Sequence, residues 1–187
     1  DPLLLIVAAL GALFHAAAVP SSSPAETRAA GSAWAARAQQ IVLARLGLVN
    51  TENLMAAVLC HDYELRQGRF GAAFMLSGIT VRMAQALQIN LEYSTDVLCR
   101  EGASPPGAGA AGPSATTKES RRRLMWSCYI TDSFVGSGVD QLTLIKEADI
   151  KIQLPCHERN FLRQTPCVTE VLTPASFLQS LAPDQIP

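Results

Sequence analysis

Cys60-His61-Asp62 supplies a nucleophile, a base and a carboxylate in one row, the residue types of a thiol hydrolase. On a helix, neighbours in sequence point about 100° apart, so these three cannot line up as nucleophile, base and orienter among themselves. The other histidines do not repair this, because His15 stands in an apolar run and His157 in a proline-rich tail. A small Cys/His hydrolase therefore stands only as the last alternative, and no catalytic residue is assigned. Gly136-Ser137-Gly138 lacks the preceding strand and the spacing of a nucleophile elbow or a phosphate loop, and reads as a turn.

Metal chemistry fares no better. The five cysteines, Cys60, Cys99, Cys128, Cys156 and Cys167, form no Cys-x-x-Cys pair, and no His follows Cys156 and Cys167 at ligand spacing. A zinc finger, ribbon or binuclear cluster needs short paired spacings to bring thiolates onto one ion. No metal or cofactor is expected in this chain. Cys60 and Cys128 fall in apolar helical runs, where a free Cys acts as a small hydrophobe, and an odd count without a framework favours a reducing compartment.

The most informative charges are one cluster and one pair. Lys118 with Arg121-Arg122-Arg123 is the one basic cluster, and Glu119 sits within the same turn. Cations near a helix start oppose the helix dipole, so a solvated, partly paired helix start is expected, with at least one arginine holding an acidic partner; nuclear import or phosphate contact is the other reading. Arg82 lies on an apolar stripe with Met75, Ile79 and Ala86, and Asp132 on another with Met125, Cys128, Tyr129 and Val135. A buried charge is tolerated only when paired, which suggests an Arg82–Asp132 salt bridge joining two helices. Alternatively, Arg82 snorkels to the surface.

The elements that would position these residues are helices. Pro2–Val19 is apolar all round, as a buried core helix is; as a signal or membrane segment it lacks a basic leader and is marginal in length. Ser23-Pro24-Ala25-Glu26 makes a capping box for an alanine-rich helix reaching about Leu46, interrupted at Gly31 and closed by Gly47, with Trp34, Ala38, Ile41 and Leu46 on a loose 3.6 period. Thr51 can cap a third helix with Leu54, Val58, Leu59 and Leu65 inside, ended by Gly68. A fourth runs from about Arg69 to Leu87, with Phe70, Phe74, Ser77 and Val81 inside. Thr116 and Glu119 form a second capping box for a helix that stops at Gly136. Asp149–Pro155 alternates as one short extended stretch. Between Cys99 and Thr117 the chain turns to Gly, Ala, Ser and Pro, and residues 102–115 are expected to be a mobile, dispensable loop.

The whole is all-α, an irregular helical bundle or array. Residues 1–155 read as one helical region with a flexible loop at about 100–116, and 156–187 as a mostly irregular tail. The 187 residues are 49% hydrophobic and carry a formal net charge of -1, which excludes a disordered chain and gives no global basic field for nucleic acid. A first residue of Asp1 and a last of Pro187 read as a piece of something longer.

Three blocks resemble a known family. Ala73-Phe74-Met75-Leu76-Ser77-Gly78-Ile79-Thr80-Val81-Arg82-Met83-Ala84-Gln85-Ala86-Leu87 is similar to its helix Ala-Trp-Met-Leu-x-Gly-x-Ala-x-Arg-Met-Ala-x-x-Leu. Glu119-Ser120-Arg121-Arg122-Arg123-Leu124-Met125-Trp126, continuing to Tyr129 and Asp132, resembles Glu-x-Arg-Arg-Arg-x-Trp-Trp and its following Asp. Asp149-Ile150-Lys151-Ile152-Gln153-Leu154-Pro155 matches an Asp-Ile-x-x-x-Leu-Pro segment. In this order, over about residues 53–155, they resemble the fungal-specific transcription factor domain, the middle homology (regulatory) region of fungal Zn₂Cys₆ proteins. Met125 stands for the first Trp, and Gly138-Val139-Asp140 for a Gly-Arg-Pro element.

The resemblance implies a non-enzymatic helical region of a nuclear regulator of RNA polymerase II transcription, truncated from a larger helical domain. Zinc and DNA binding are implied only for a separate cluster outside this chain. Transcriptional co-regulators, a small-molecule effector and a homodimer stand as candidate partners; a membrane does not. Arg82, Glu119, Arg121, Arg122, Arg123, Trp126 and Asp132 are the structural or regulatory candidates. A membrane-anchored or secreted helical protein, with residues 2–19 as signal or anchor, remains the alternative.

Overall fold

Asp1 accepts the Leu3 and Leu4 amides and Pro2 occupies the first turn, so the apolar run opens as helix α1, Pro2–Ala18, in the computed structural model, which describes residues 1–92, 114–136 and 142–172. Ile6, Ala9, Leu10 and Leu13 are buried, whereas Leu4, Val7 and Phe14 are at least half exposed. The helix expected to be buried all round is therefore buried on one face. Among the described residues no helix is long and apolar enough to cross a membrane.

The alanine-rich stretch folds as two helices, α2 (Pro24–Ala29) and α3 (Ser32–Ala44). The capping box at Ser23 forms in full: Glu26 N donates to Ser23 Oγ (3.2 Å) and Ser23 N to Glu26 Oε2 (2.8 Å). Between the two helices Gly31 turns the chain at φ +74°, and a Cβ there would lie 2.5 Å from the Ala9 carbonyl oxygen. The glycine lets the start of α3 rest on α1. The inward face of α3 is Ala35, Ala38 and Val42; of the residues expected inside, Ala38 is fully buried while Trp34 is half exposed and Leu46 faces solvent.

α4, Thr51–Arg66, is capped by Asn50, whose Oδ1 accepts from Asn53 N at 2.7 Å, rather than by Thr51. Gly68, at φ +73°, turns the chain into α5, Phe70–Ala86. Across that turn the buried Glu64 carboxylate accepts from Arg69, which also lies over the Tyr63 ring. The core of α5 runs through Ala73, Leu76, Ser77, Thr80, Val81 and Ala84, while Phe70 and Phe74, expected inside, face solvent. Ile6, Leu10, Leu13, Ala35, Ala38, Cys60, Tyr63 and Leu76 form one apolar cluster. These five helices make the first of two compact units, Asp1–Leu87; the second is Gln88–Pro187.

The second unit is organised by α6, Ala115–Gly136. Its start is capped by Ser114, whose Oγ accepts from Thr117 N (3.1 Å), and not by the Thr116–Glu119 box, because Glu119 is turned inward. A 3₁₀ turn at Glu147–Asp149, isolated bridges at Leu91–Lys151 and Gln153–Val171, and α7 (Glu158–Leu162) follow. Among the described residues there is no strand, and the fold is all-α. Residues 102–113 of the expected loop, Cys99 and Gly138-Val139-Asp140 lie outside the described residues; Ser114 and Ala115 belong to the start of α6.

Gly31 and Gly68 share a positive φ, but only Gly31 faces backbone at its open side. Gly68→Ala is expected to lose about 1–2 kcal/mol from the left-handed conformation alone. Gly31→Ala should lose about 1–3 kcal/mol more from overpacking against Ala9. Paired urea denaturation curves check the difference.

His61 is buried, its Nε2 has no hydrogen-bond partner among the described residues, and burial lowers its pKa against the pull of Asp62. The folded chain thus resists a proton that the unfolded chain accepts below about pH 6.5. Stability is held above that pH and falls as acid is added. Denaturation midpoints between about pH 7 and 5 should fall less steeply in His61→Gln than in the unchanged protein.

Candidate functional site

From Glu119 to Asp132, α6 presents polar side chains on one stripe, at steps of three and four residues, and each takes hold of chain that returns beside it. Asp132, fully buried, accepts the Leu144 amide at 2.7 Å and the Ile145 amide at 2.8 Å. One turn earlier, the Tyr129 hydroxyl donates to Glu147 Oε1 at 2.9 Å. Trp126 Nε1 donates to the Gln153 carbonyl (2.9 Å), its ring edge-on to Tyr129 with centroids 5.7 Å apart. Glu119 Oε1 accepts the Cys156 amide at 2.9 Å. The order is antiparallel, so residues 144–156 are laid along the helix by its side chains rather than by a strand ladder.

The charged end of this stripe is a network. Arg122 is buried and forks onto Glu92, with Nε 3.1 Å from Oε1 and 3.3 Å from Oε2, and Nη2 also bonded to Oε1. Burial opposes the charges on both partners, yet each holds the other's: the Glu92 carboxyl stays below its ordinary pKa and the Arg122 guanidinium above. Glu92 Oε2 further accepts the Gln153 amide, 3.3 Å away. Arg123 Nε donates to Glu119 Oε1 at 3.0 Å, its Nη1 to Glu158 Oε2 at 2.6 Å, and its guanidinium lies 4.2 Å above the Phe161 ring. Arg122 Nη1 reaches the Cys167 carbonyl at 3.4 Å and lies 3.6 Å from Glu119 Oε2.

This geometry revises two expectations. The arginine cluster does hold acidic partners, but Arg122 is buried rather than solvated; Arg121 and Arg123 are half-buried. The Arg82–Asp132 salt bridge is not the pairing found. Arg82 is on the exposed face of α5 and donates to Gln85 Oε1 (3.0 Å), while Asp132 is satisfied by backbone amides of its own unit. Two amides satisfy a buried carboxylate as fully as a guanidinium does, without bringing a second charge out of water. Glu92, Gln153 and Glu158 escaped the sequence reading, since nothing local ties Glu92 or Glu158 to an arginine tens of residues away.

A cavity of about 440 Å³ opens beside the network, lined among others by Glu92, Lys118, Glu119, Arg122, Phe161 and Cys167. It combines two carboxylates, two cations, an aromatic face and two thiols, those of Cys156 and Cys167, a lining suited to holding a polar small molecule. The Cys60-His61-Asp62 row is split instead: Cys60 is buried with its thiol pushed up to about 12, and Asp62 pairs with Arg66 at 2.7 Å. Among the described residues no three metal-ligating side chains converge.

Compared with known proteins, the family model described as the fungal specific transcription factor domain matches residues 1–182. The Zn(2)-C6 fungal-type transcription factor FTF1c of Fusarium oxysporum f. sp. lycopersici is 33% identical over 170 residues, covering 91% of this chain and 18% of that protein. FTF1a of the same organism is 33% identical over 156 residues, 83% of this chain and 14% of its own length. An uncharacterized transcriptional regulatory protein of Schizosaccharomyces pombe is 32% identical over 145 residues, 76% of this chain and 14% of its length. The chain thus spans less than a fifth of each of these curated relatives. No solved structure matches.

Asp132→Ala leaves the buried Ile145 amide without an acceptor, at about 1–3 kcal/mol, and frees the part-buried Leu144 amide beside it. Arg82→Ala, on an exposed face, should stay within about 0.5 kcal/mol of the unchanged chain. Guanidinium denaturation of the two variants side by side measures the contrast.

Proposed function

The chain belongs to the fungal-specific transcription factor domain family, and from that premise we propose that it is the regulatory region of a fungal nuclear transcription factor, modulating transcription by RNA polymerase II without catalysis. DNA reading falls to a zinc cluster elsewhere in the whole protein. The cysteines of this chain do not fit that cluster, since they lack its paired spacing, and no step is assigned to zinc here.

The observation that carries the proposal is the family match along nearly the whole chain, joined to the site on α6. A cavity of about 440 Å³ falls within the roughly 300–1,000 Å³ of small-molecule sites. Its wall is the chain segment that Glu119, Arg122 and Arg123 hold in place. A small polar effector entering there meets the groups on which that segment's position depends. Co-regulators and a second copy of the chain remain candidate partners on the same reading. The net charge of -1 gives little counterion release on DNA.

Two measurements test this. Fused to an unrelated DNA-binding module in a fungal reporter strain, the chain should change reporter output relative to the module alone. In a mobility-shift titration at physiological salt, the chain alone should show no sequence-selective binding. Nanomolar selective binding, or a fusion indistinguishable from the module, would overturn the proposal.

A further inference from the structure

Cys156 and Cys167 lie on either side of α7, and α6 holds both. The Cys156 amide donates to Glu119 Oε1 at 2.9 Å and its carbonyl accepts from Arg123 Nη2 at 3.4 Å. The Cys167 carbonyl accepts from Arg122 Nη1, also at 3.4 Å. With their backbones fixed this way, the two side chains line the same cavity, Cys167 beside the Cys156 thiol. Both are free, and both line the cavity; Cys156 is buried and Cys167 half-buried. The other described thiols, Cys60 and Cys128, are buried within α4 and α6.

We propose that Cys156 and Cys167 form a dithiol site that a hydroperoxide closes to a disulfide. Cys167, the more exposed of the two at the cavity, meets the oxidant first. Its sulfur takes one oxygen as the O–O bond breaks, giving the sulfenic acid and releasing the hydroperoxide's other half as an alcohol, or as water from hydrogen peroxide itself. The Cys156 sulfur then displaces the hydroxyl of the sulfenic acid, forming the S–S bond and releasing water with the Cys156 proton. In sum, two thiols lose two electrons and two protons, and the hydroperoxide is reduced by two electrons.

The surroundings suit Cys156 to the second step. Burial, with Cys167 and Glu119 beside it, pushes its thiol up to about 11, so it keeps its proton at neutral pH. Glu119 Oε2, buried and without a hydrogen-bond partner among the described residues, offers an acceptor for that proton beside it. With Cys167 beside it in the lining of the same cavity, the Cys156 sulfur has a short approach to a bond of about 2.05 Å. In reducing compartments, disulfides that form transiently commonly serve as sensors. Closure here would tie the two ends of the α7 segment together across one wall of the cavity.

The test uses the reduced 187-residue chain, treated with hydrogen peroxide, then denatured, alkylated and digested with trypsin. Cleavage after Lys151, Arg159 and Arg163 puts the two cysteines on separate peptides, 152–159 and 164–187. The expected product is one species weighing the sum of the two less two hydrogens, lost on adding dithiothreitol and absent from Cys167→Ser, where Cys156 is recovered alkylated. Any of three results would overturn the proposal: both cysteines recovered alkylated, Cys167 recovered as sulfinic acid beside alkylated Cys156, or either cysteine linked to Cys60, Cys99 or Cys128. The unsubstituted chain carries the decisive measurement, so a variant that fails to fold cannot obscure it.

Discussion

A buried arginine fixed between two carboxylates governs the second unit. Arg122 reaches Glu92 from one side of its fork and lies against Glu119 on the other, all three largely out of water. Taking such ions from water costs several kcal/mol each, and their mutual attraction repays it only when the remaining hydrogen-bonding positions are filled. Here most are filled by backbone, the Gln153 and Cys156 amides on the carboxylates and the Cys167 carbonyl on the guanidinium, while Glu119 Oε2 keeps only its ion pair with Arg122. The ions therefore need the irregular segment as much as it needs them. Three arginines in the opening turns of a helix oppose its dipole, and Glu92, Glu119 and Glu158 offset that for Arg122 and Arg123.

The first unit rests on a different constraint, the distance at which helices can approach. Gly31 against Ala9, with Ala35 and Ala38 in the shared cluster, lets α3 settle onto α1 with backbone nearly in contact. Size, not charge, sets that geometry. The polar groups it buries, such as Glu64 with Arg69 and the Tyr63 hydroxyl on the Ala30 carbonyl at 3.4 Å, are satisfied near helix ends.

What could be read in advance divides along the same line. Helix positions, the Ser23 capping box and the break at Gly31 were legible because each depends on residues within one turn. The inward faces of α3 and α5 were less so: Trp34, Phe70 and Phe74 are large and apolar, yet alanines and serines hold the close contacts, where aromatic rings would not fit. At the site, Glu119, Arg122, Arg123, Trp126 and Asp132 stand out through the family pattern they resemble, but neither their common stripe nor their partners do. Asp132 binds main-chain amides, which carry no sequence signal, and Arg122 binds Glu92 across thirty positions. Thr116 misled because Ser114 caps α6 from outside, freeing Glu119 to turn inward.

The segment from Leu144 to Cys167 has little hydrogen bonding of its own apart from α7 and the 3₁₀ turn. It is held by side-chain hooks from α6, joined by single backbone bonds from Lys151 to Asn90 and from Leu154 to Glu170, and isolated hooks of that kind open together or in sequence, from an end. Chain held mainly by side-chain hooks, with little regular structure of its own, is the kind that opens sub-globally ahead of the helix that holds it. Lifting it away would leave α6 intact as a helix while baring Glu119, Trp126 and Asp132, which now hold it. The same stripe that folds the chain therefore also marks the seam along which it comes apart.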